Sequence, residues 1–330
     1  MKKKKALITG VAGQDGSYLT EFLLSNNYEV FGILRRNSIV EHQRNRIEYL
    51  GDKINLEYGD VMDISSLNRI IKSTMPDEIY NLAAQSHVRI SFDIPQFTTQ
   101  TNSIGVLNIL ESFKSICPKA KFYQASSSEM FGRSVDSDNF QRETTPFEPT
   151  SPYGCAKVFA FYLVKHYRNA HNLFCSNGIL FNHESPRRGS NFVTNKVVKA
   201  AVKIKLGLDN KLVLGNMNSY RDWGHSKDYV RAMHSIINHS KPDDFVVATG
   251  ITRTVNEMCE YVFGKLDLKM SDYITQDPKF MRPEELKYLR GDSSKIRKTL
   301  NWHPKISFEK LMDEMINHWY GIFNSKNVQV

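Results

Sequence analysis

ALITGVAGQDG, residues 6–16, joins a short apolar run to three glycines spaced Gly-x-x-Gly-x-x-Gly. Ala6–Gly10 predicts a first β-strand, and Ser17–Leu24 predicts a helix that begins directly after the glycines. Glycine lets the backbone turn tightly and approach a pyrophosphate that sits on the amides of a helix N-terminus. The place of the glycines between a first strand and a first helix therefore predicts a dinucleotide-binding turn. The residues assigned to that turn are Gly10, Gly13, Gln14, Asp15 and Gly16.

Strand-like and helical patterns alternate through the first half of the chain. The short apolar runs are Ala6–Gly10, Glu29–Arg36, Ile54–Asp60, Glu78–Ala84 and Lys121–Ser127, and helical spacing is found in Ser103–Ser115 and Tyr153–Asn169. Repeated strand–helix–strand units indicate a parallel sheet covered on both faces. We therefore predict an α/β fold with a Rossmann-like, doubly wound parallel sheet, which binds ligands at the carboxyl ends of its strands.

The residues after the second predicted strand bear on the choice of cofactor. An NAD-binding chain carries an acidic residue here to hold the ribose, whereas this chain has Arg35, Arg36, Asn37 and Ser38. Guanidinium groups attract a 2′-phosphate and can bind it through paired hydrogen bonds. The sequence thus predicts NADP. Asp60, at the end of the third strand, is placed to accept a hydrogen bond from the adenine amino group.

A strand at Ser176–Phe181 continues the pattern, which becomes irregular after Asn182. Later runs predict helices at Phe192–Leu206, Tyr229–Asn238, Thr254–Phe263, Ser293–Leu300 and Ser307–Phe323, and strands at Lys211–Gly215 and Phe245–Gly250. Because the chain returns to the main sheet, we expect an NADP-binding domain over 1–182, completed by about 217–260. A smaller, interleaved C-terminal α/β domain over 183–216 and 261–330 is expected to bind the substrate.

The composition excludes several classes of protein. Of 330 residues, 41% are hydrophobic and 24% are charged, as in a globular chain and not a disordered one. No apolar run reaches the roughly 18 residues of a membrane helix. The four cysteines lack metal-binding spacing, so we expect no metal site, and reduced thiols in the cytoplasm. The net charge of +9 favours anionic partners, but no nucleic-acid-binding motif accompanies it, so we expect no nucleic acid.

Tyr153 and Lys157 stand four residues apart at the start of a predicted helix, which places both side chains on one helical face. A lysine near a phenol stabilises the phenolate and lowers the pKa of the tyrosine, so that it can act as a base near neutral pH. The pair follows a predicted strand that ends in Ala125–Ser128. In a chain that opens with a glycine turn, this arrangement predicts a catalytic pair.

These features resemble the extended short-chain dehydrogenase/reductases, and longer segments resemble one family among them, the GDP-mannose 4,6-dehydratases. The segments are GQDGSYL at 13–19, AQSHV at 84–88, FYQAS at 122–126, FNHESPRRG at 181–189, RDWGH at 221–225 and RPEE at 282–285. They run across most of the chain, and the nine-residue segment is typical of that family rather than of the whole superfamily.

The resemblance implies a dehydration of GDP-mannose without net redox change. Tyr153 would take the C4 hydroxyl proton while NADP takes the C4 hydride, and Glu129 would then remove the acidified C5 proton. The C6 hydroxyl leaves as water and the hydride returns to C6. The family's Thr-Ser-Glu is Ser127-Ser128-Glu129 in this chain, so the hydroxyl is kept and a methyl group is lost. The implied catalytic residues are Ser127, Glu129, Tyr153 and Lys157.

The resemblance also assigns residues to the two ligands. Beyond the glycine turn and the basic run, the implied cofactor contacts are Asp60, Val61, Leu82, Ala83, Ala84, Gln85, Ser86, Phe97, Lys157, His183 and Arg188. Phe97 replaces a tyrosine that many relatives carry, so a phenol contact is lost. The implied substrate contacts are Ser86, Asn182, Asn191, Val193, Lys196, Leu214, Arg221, Arg282 and Glu285. Of these, Arg221 and Arg282 are the diphosphate partners.

The family also implies an oligomeric state and a partner for this chain: a homotetramer or homodimer, and a downstream reductase or epimerase that acts on the product. The nearest rival function is another nucleotide-sugar enzyme on the same fold, a 4-epimerase or a 4-keto-6-deoxymannose reductase. A catalytically inactive, NADP-sensing subunit is a further alternative, but such a protein has no need for the C5 base Glu129.

Overall fold

The structure is a computed structural model that describes residues 2–37, 44–281 and 283–327. A seven-stranded sheet forms the centre of its larger part. The strands are β1 (Lys5–Thr9), β2 (Glu29–Leu34), β3 (Asn55–Tyr58), β4 (Glu78–Asn81), β5 (Lys121–Ser127), β6 (Phe174–Leu180) and β10 (Asp244–Val247). All neighbours pair in parallel in the order β10-β6-β5-β4-β1-β2-β3. The strand order reverses between β1 and β4, which is where such sheets open a ligand crevice.

Helices cover both faces of this sheet. They are α1 (Gln14–Ser25), α2 (Ile64–Thr74), α3 (Val88–Asp93), α4 (Pro95–Thr99), α5 (Gly105–Ile116), α6 (Pro152–His171) and α8 (Ser226–Ile237). Successive strand residues point to opposite faces. In β1, Ala6 and Ile8 pack in the core that includes α1 and α8, whereas Leu7 packs in the core with α2, α5 and α6.

A smaller part surrounds a third core. Its strands are β7 (Asn182–Glu184), β8 (Leu212–Leu214), β9 (Tyr220–His225), β11 (Thr252–Thr254) and β12 (Ile274–Gln276). They form a three-stranded sheet, β11-β9-β7, and a two-stranded sheet, β12-β8. The helices of this part are α7 (Val193–Lys205), α9 (Val255–Lys265) and α11 (Phe308–Asn327), whereas α10 (Ser294–Leu300) packs against β10 of the main sheet. Apolar residues of α7, α9 and α11 share one cluster with β8 and Trp223 of β9.

The doubly wound parallel sheet is confirmed, and the differences lie at element ends and in short strands. β2 ends at Leu34, two residues before the predicted end, so Arg35 and Arg36 lie beyond the strand. The sequence did not predict β7, β9, β11 and β12, because runs of three to six largely polar residues lack a clear period. The residue ranges assigned to the two domains stay a prediction. Among the described residues, no helix combines the length and apolarity needed to cross a bilayer.

Candidate active site

The glycine turn leaves the first amides of α1 open toward the carboxyl end of the sheet. Gly10 has a φ of +69°, in the left-handed region, and its carbonyl accepts a hydrogen bond from the Gly13 amide at 2.9 Å. A Cβ on Gly16 would lie 2.3 Å from the Gly10 oxygen, so only glycine allows this close approach. Gly13 is the N-cap of α1 and has no side chain to bond the amides of the first turn. This surface therefore fits the diphosphate of a dinucleotide.

Hydrogen bonds between neighbouring strand ends hold the backbone beside this turn. The Thr9 hydroxyl donates to the Asn81 side chain at 2.6 Å and accepts from the amides of Leu82 and Ala83 at 3.1 and 3.0 Å. Asn81 in turn donates to Gln124 of β5 at 2.8 Å. These contacts fix the segment after β4 at the rim of the cleft.

Only some residues of the basic run after β2 line the cleft. Arg35 and Asn37 line the cleft, whereas Arg36 donates to the Asn37 carbonyl at 3.3 Å and does not line it. The Arg35 guanidinium lies 5.8 Å from the ring centre of Phe97. Ser38 lies outside the described residues.

Four other predicted cofactor contacts also lie away from the cleft wall. The Asp60 carboxylate accepts from the Met62 amide at 2.9 Å, which caps its own loop. Val61 is buried in the core beside α2 and α5. The Gln85 side chain accepts from the His87 amide at 2.6 Å, and Phe97 lies on α4. Their roles as dinucleotide contacts stay a prediction that the cleft lining does not support.

The first turn of α6 carries the predicted catalytic pair. Ser151 caps the helix by accepting from the Gly154 amide at 3.0 Å, and Pro152 occupies the first helical position, where its missing N–H costs nothing. Tyr153 and Lys157 are both buried and both line the cleft. The Lys157 ammonium donates to the Ala125 carbonyl at 2.8 Å and lies 5.7 Å from the centre of the Tyr153 ring.

Burial shifts the acidity of both side chains. It raises the pKa of Tyr153 to about 12, although a hydrogen bond with Ser127 opposes the shift, and the charge of Glu129 adds to it. Burial also lowers the pKa of Lys157 to about 8. The sequence predicts that the lysine lowers the tyrosine's pKa, but desolvation of the phenolate is the largest influence on it in this structure and raises it.

Glu129 lies in a short 3-10 turn directly after β5. Ser127 caps the start of this turn, because its hydroxyl accepts a hydrogen bond from the Glu129 amide at 3.2 Å. Both residues are buried and line the same cleft as Tyr153. Gly154 allows this approach, because a Cβ there would lie 2.8 Å from the Glu129 carbonyl oxygen. A hydroxyl, a carboxylate and a phenol therefore meet where β5 ends and α6 begins.

The segment after β6 lies against α1. The His183 ring bonds the Asp15 carboxylate at 2.7 Å, and the Gln14 side chain donates to the His183 carbonyl at 3.1 Å. Arg188 forms an ion pair with Glu184 at 3.0 Å, and burial raises the pKa of that carboxyl although the arginine charge opposes the shift. His183 and Arg188 both line the cleft, as the sequence predicted.

Side chains of the smaller part form most of the opposite wall. Arg221 is buried and donates to the Glu285 carboxylate at 3.0 Å and to the Leu286 carbonyl at 2.9 Å. Lys196 donates to the Val213 carbonyl at 2.6 Å. The predicted substrate residues that line this cleft are Ser86, Asn182, Asn191, Val193, Lys196, Leu214, Arg221 and Glu285. Arg282 lies outside the described residues.

The cleft has a volume of about 810 Å³, at the upper end of the range for small-molecule sites. Among the described residues, no group of three or more His, Cys, Asp or Glu side chains is arranged to hold a metal ion. The polar groups of the lining include amides, hydroxyls, cations, the Tyr153 phenol and carboxylates.

Sequence reasoning missed several residues of this site. Thr9 is an ordinary strand residue in the sequence, and Arg46 lies in a polar loop, yet Arg46 donates to the Arg187 carbonyl at 2.8 Å and so supports the segment beside α1. The rings of His87 and Phe192, 5.1 Å apart, connect α3 to the start of α7. None of these contacts joins residues that are near in sequence, so no local pattern could have identified them.

Comparisons with known proteins agree with this geometry. The model of a family described as GDP-mannose 4,6 dehydratase matches residues 7–315. GDP-mannose 4,6 dehydratase 2 of Arabidopsis thaliana is 49% identical over 96% of this chain and 86% of its own length. The human GDP-mannose 4,6 dehydratase is 45% identical over 94% and 90%. A dTDP-glucose 4,6-dehydratase of Bacillus anthracis, solved with NAD, has the same fold, with a TM-score of 0.84, 23% identity and 98% coverage of each chain. This chain belongs to the GDP-mannose 4,6-dehydratase family.

Proposed function

We propose that this chain is an NADP-dependent hydro-lyase that converts GDP-mannose to GDP-4-keto-6-deoxymannose and water. This reaction is the first step toward GDP-fucose or another GDP-deoxyhexose. The observation that carries the proposal is the burial of Glu129 together with Tyr153 and Lys157 in one cleft, in a chain of this family. The two acid–base groups match the two deprotonations that the reaction needs, at the C4 hydroxyl and at C5.

The proton transfers can be assigned to this chain's residues. When bound, the nicotinamide ring accepts a hydride from C4 of the hexose and returns it to C6. Tyr153 takes the proton of the C4 hydroxyl, and Lys157, whose pKa of about 8 keeps it largely protonated at neutral pH, stabilises the phenolate. Glu129 removes the C5 proton, which the 4-ketone has made acidic, and gives it to the departing C6 hydroxyl. The proton on Tyr153 returns to C5, so the net loss is one water.

The side chains after β2 support NADP over NAD. Arg35 lines the cleft beside the end of β2, the position at which NAD-binding sheets place a carboxylate. Asn37 adds an amide to the same wall. A guanidinium binds a 2′-phosphate favourably, and the same charge gives nothing to an unphosphorylated ribose.

The opposite wall supports a sugar diphosphate. Arg221 is held in place by Glu285 and the Leu286 carbonyl, so its cation is preorganised for an anionic group. Among the described residues, the buried side-chain oxygen of Asn182 has no hydrogen-bond partner. An unmet buried acceptor costs about 1–3 kcal/mol, which a hexose hydroxyl donating to it would recover.

The nearest alternatives are a 4-epimerase and a 4-keto-6-deoxymannose reductase. Both need Tyr153 and Lys157 but have no use for a base at C5, so the buried Glu129 favours the dehydratase. We also propose a cytoplasmic homotetramer or homodimer that passes its product to a reductase or epimerase. Sedimentation that finds a fully active monomer would remove the oligomer.

Product identity tests the function directly. The protein is incubated with GDP-mannose and trace NADP⁺ in D₂O, and the product is identified by mass and proton NMR. A 4-keto-6-deoxy product with deuterium at C5 and no net use of cofactor supports the proposal. Stoichiometric consumption of NADPH, or a product that keeps its C6 hydroxyl, would contradict it.

A further inference from the structure

The hydrogen bonds of His183 fix the charge of its ring. Nδ1 lies 2.7 Å from the Phe181 carbonyl oxygen, and Nε2 lies 2.7 Å from the Asp15 carboxylate. A carbonyl and an ionised carboxylate only accept hydrogen bonds, so both ring nitrogens must donate. An imidazole that donates from both nitrogens carries two protons and a positive charge.

The surroundings of the ring agree with that charge. Asp15 faces it from α1, Arg188 and Glu184 are the nearest charges on its own segment, and Tyr229 of α8 stacks on it at 4.4 Å. Burial works to lower the pKa of His183, but the charge and hydrogen bond of Asp15 outweigh it and hold the pKa above its usual value. The pKa of Asp15 lies below its usual range for the reciprocal reason, since His183 outweighs the effect of its burial.

The position of Asp15 gives this pair a consequence for ligand binding. Asp15 lies in the first turn of α1, whose open amides form the proposed diphosphate site. An uncompensated carboxylate there would repel the diphosphate across a poorly solvated gap. The imidazolium cancels that charge without occupying the amides.

Hydrogen bonds between uncharged groups also join the segment after β6 to α1. The Gln14 side chain donates to the His183 carbonyl at 3.1 Å and accepts from the Ser185 hydroxyl at 2.8 Å. Gly224 leaves room for Tyr229, because a Cβ at Gly224 would lie 2.4 Å from the tyrosine ring. The ring of His183 therefore stacks on a ring whose place is set by packing, and its segment is joined to α1 by hydrogen bonds.

We propose that His183 is a positioning residue that acts as an imidazolium: it neutralises Asp15 and fixes the glycine turn, so that the dinucleotide binds tightly only while His183 is protonated. This inference rests on the dinucleotide site proposed above. A histidine with a raised pKa carries its charge below that pKa and loses it as the pH rises through it. Dinucleotide affinity therefore falls on the alkaline side of the ordinary histidine range.

The test measures the Kd of NADP⁺ and of NAD⁺ by calorimetry from about pH 7 to about pH 9.5, above the range in which the 2′-phosphate titrates. The proteins are the unmodified chain, His183→Gln, Asp15→Asn and the double variant. His234→Gln is the matched control, because this histidine of α8 bonds the Tyr28 hydroxyl at 3.1 Å and lies outside the cleft lining. Lys157 also titrates in this range, but it is common to all variants, so differences between them isolate His183.

We expect the Kd of the unmodified chain to rise about tenfold with pH, which corresponds to a pKa of His183 about one unit higher in the complex than in the free protein. His183→Gln should bind about tenfold more weakly at neutral pH and lose this part of the pH dependence. The double variant should regain most of the affinity, because the carboxylate that needed compensation is gone. A double variant that binds no better than His183→Gln, or a His183→Gln protein with the original pH dependence, would overturn the proposal.

A second measurement does not depend on folded variants. Nitrogen NMR of the ¹⁵N-labelled imidazoles in the unmodified, ligand-free protein reports the protonation of each ring nitrogen. Two protonated nitrogens for His183 at neutral pH support the inference, and one neutral tautomer would contradict it. The product assay with GDP-mannose is separate: it can fail while the NMR and Kd data still decide the role of His183. Dinucleotide that binds at no pH would remove the proposed site but leave the NMR result in place.

Discussion

In one half of the cleft the ligand surface is backbone, and in the other it is charged side chains. The glycine half, Gly10–Gly16 with Leu82–Ser86, presents backbone whose position is set by turns and by hydrogen bonds from the Leu82 and Ala83 amides to the Thr9 hydroxyl. The arginine half, Lys196, Leu214, Arg221 and Glu285, presents side chains, and its charged groups already bond to one another or to carbonyl groups. The first surface cannot be altered without moving the main chain, whereas the second can be changed one side chain at a time.

This difference indicates which part of the cleft sets each kind of ligand specificity. The glycine half fits a diphosphate that is common to many ligands, and a rigid backbone serves that purpose. In the function proposed above, the arginine half distinguishes one nucleotide sugar from others, and its side chains can vary without loss of the main sheet. The proposed catalytic residues lie between the two halves, where β5 ends and α6 begins.

Removal of the phenol at that boundary should have the largest effect. We expect Tyr153→Phe to lower turnover by roughly 10³ to 10⁴, because general-base catalysis of this kind contributes up to that factor. Affinity for both ligands should remain close to normal, since neither half of the cleft is changed. Turnover is followed by product formation, and binding by calorimetry. A variant with near-normal turnover would show that another group takes the C4 proton.

Glu129→Gln should separate the two chemical steps. Water loss should fall by roughly 10² to 10³, because the amide cannot remove the C5 proton. Oxidation at C4 should continue, so the absorbance of reduced cofactor should accumulate in a single turnover. Exchange of the C5 hydrogen with D₂O gives the same information independently. Full-rate formation of the normal product would contradict the role of Glu129.

Gly16→Ala should disturb the backbone of the glycine half and leave the arginine half unchanged. The new Cβ would lie 2.3 Å from the Gly10 carbonyl oxygen, so the turn must shift, at a cost of about 1–3 kcal/mol in the free energy of unfolding. Dinucleotide affinity should fall with the displaced amides, while the substrate's half of the cleft is unchanged. Gly264→Ala is the matched control, because no atom lies within 4 Å of its added Cβ inside α9. Equal losses in both variants would show that the turn is not special.

Arg221→Lys should weaken substrate binding by the arginine half and leave the glycine half unchanged. Lysine keeps the charge but cannot reproduce the planar set of bonds to Glu285 and the Leu286 carbonyl. We expect KM for GDP-mannose to rise by about tenfold, as for the loss of a charge-assisted hydrogen bond, with NADP affinity unchanged. Steady-state kinetics at saturating cofactor separate KM from kcat. A changed NADP affinity would show that the two halves are not independent.

Arg35→Ala should have an effect no larger than that of Arg221→Lys and should sharpen the cofactor assignment. The loss of a charge-assisted contact to a 2′-phosphate should weaken NADP by about tenfold, and NAD by less than about twofold. Arg36→Ala is the control, because Arg36 bonds the Asn37 carbonyl and does not line the cleft. Equal effects on NADP and NAD would remove the proposed role of Arg35.

The sequence predicted the parts of this molecule that depend on local pattern. The glycine spacing, the short apolar run of β1 and the four-residue gap between Tyr153 and Lys157 all survive in the structure, because each is set by backbone geometry within one element. The sequence did not reveal that Thr9 organises the segment after β4, since that contact joins residues more than 70 apart.

The raised pKa of Tyr153 was missed for a related reason. It depends on how deeply neighbouring elements bury the phenol, and helix spacing does not contain that information. The adenine contact of Asp60 stays a prediction from strand order. The structure adds that one oxygen of its carboxylate accepts from the Met62 amide of its own loop.

The glycine at position 154 has a consequence for redesign of this protein. Because Gly154 leaves room for α6 to pack against the turn that holds Glu129, the phenol and the carboxylate belong to one packed unit. The short strands on the proposed substrate side of the cleft lie outside this unit. New substrate preferences can therefore be introduced by exchanging those strands, provided that the contact across Gly154 is left untouched.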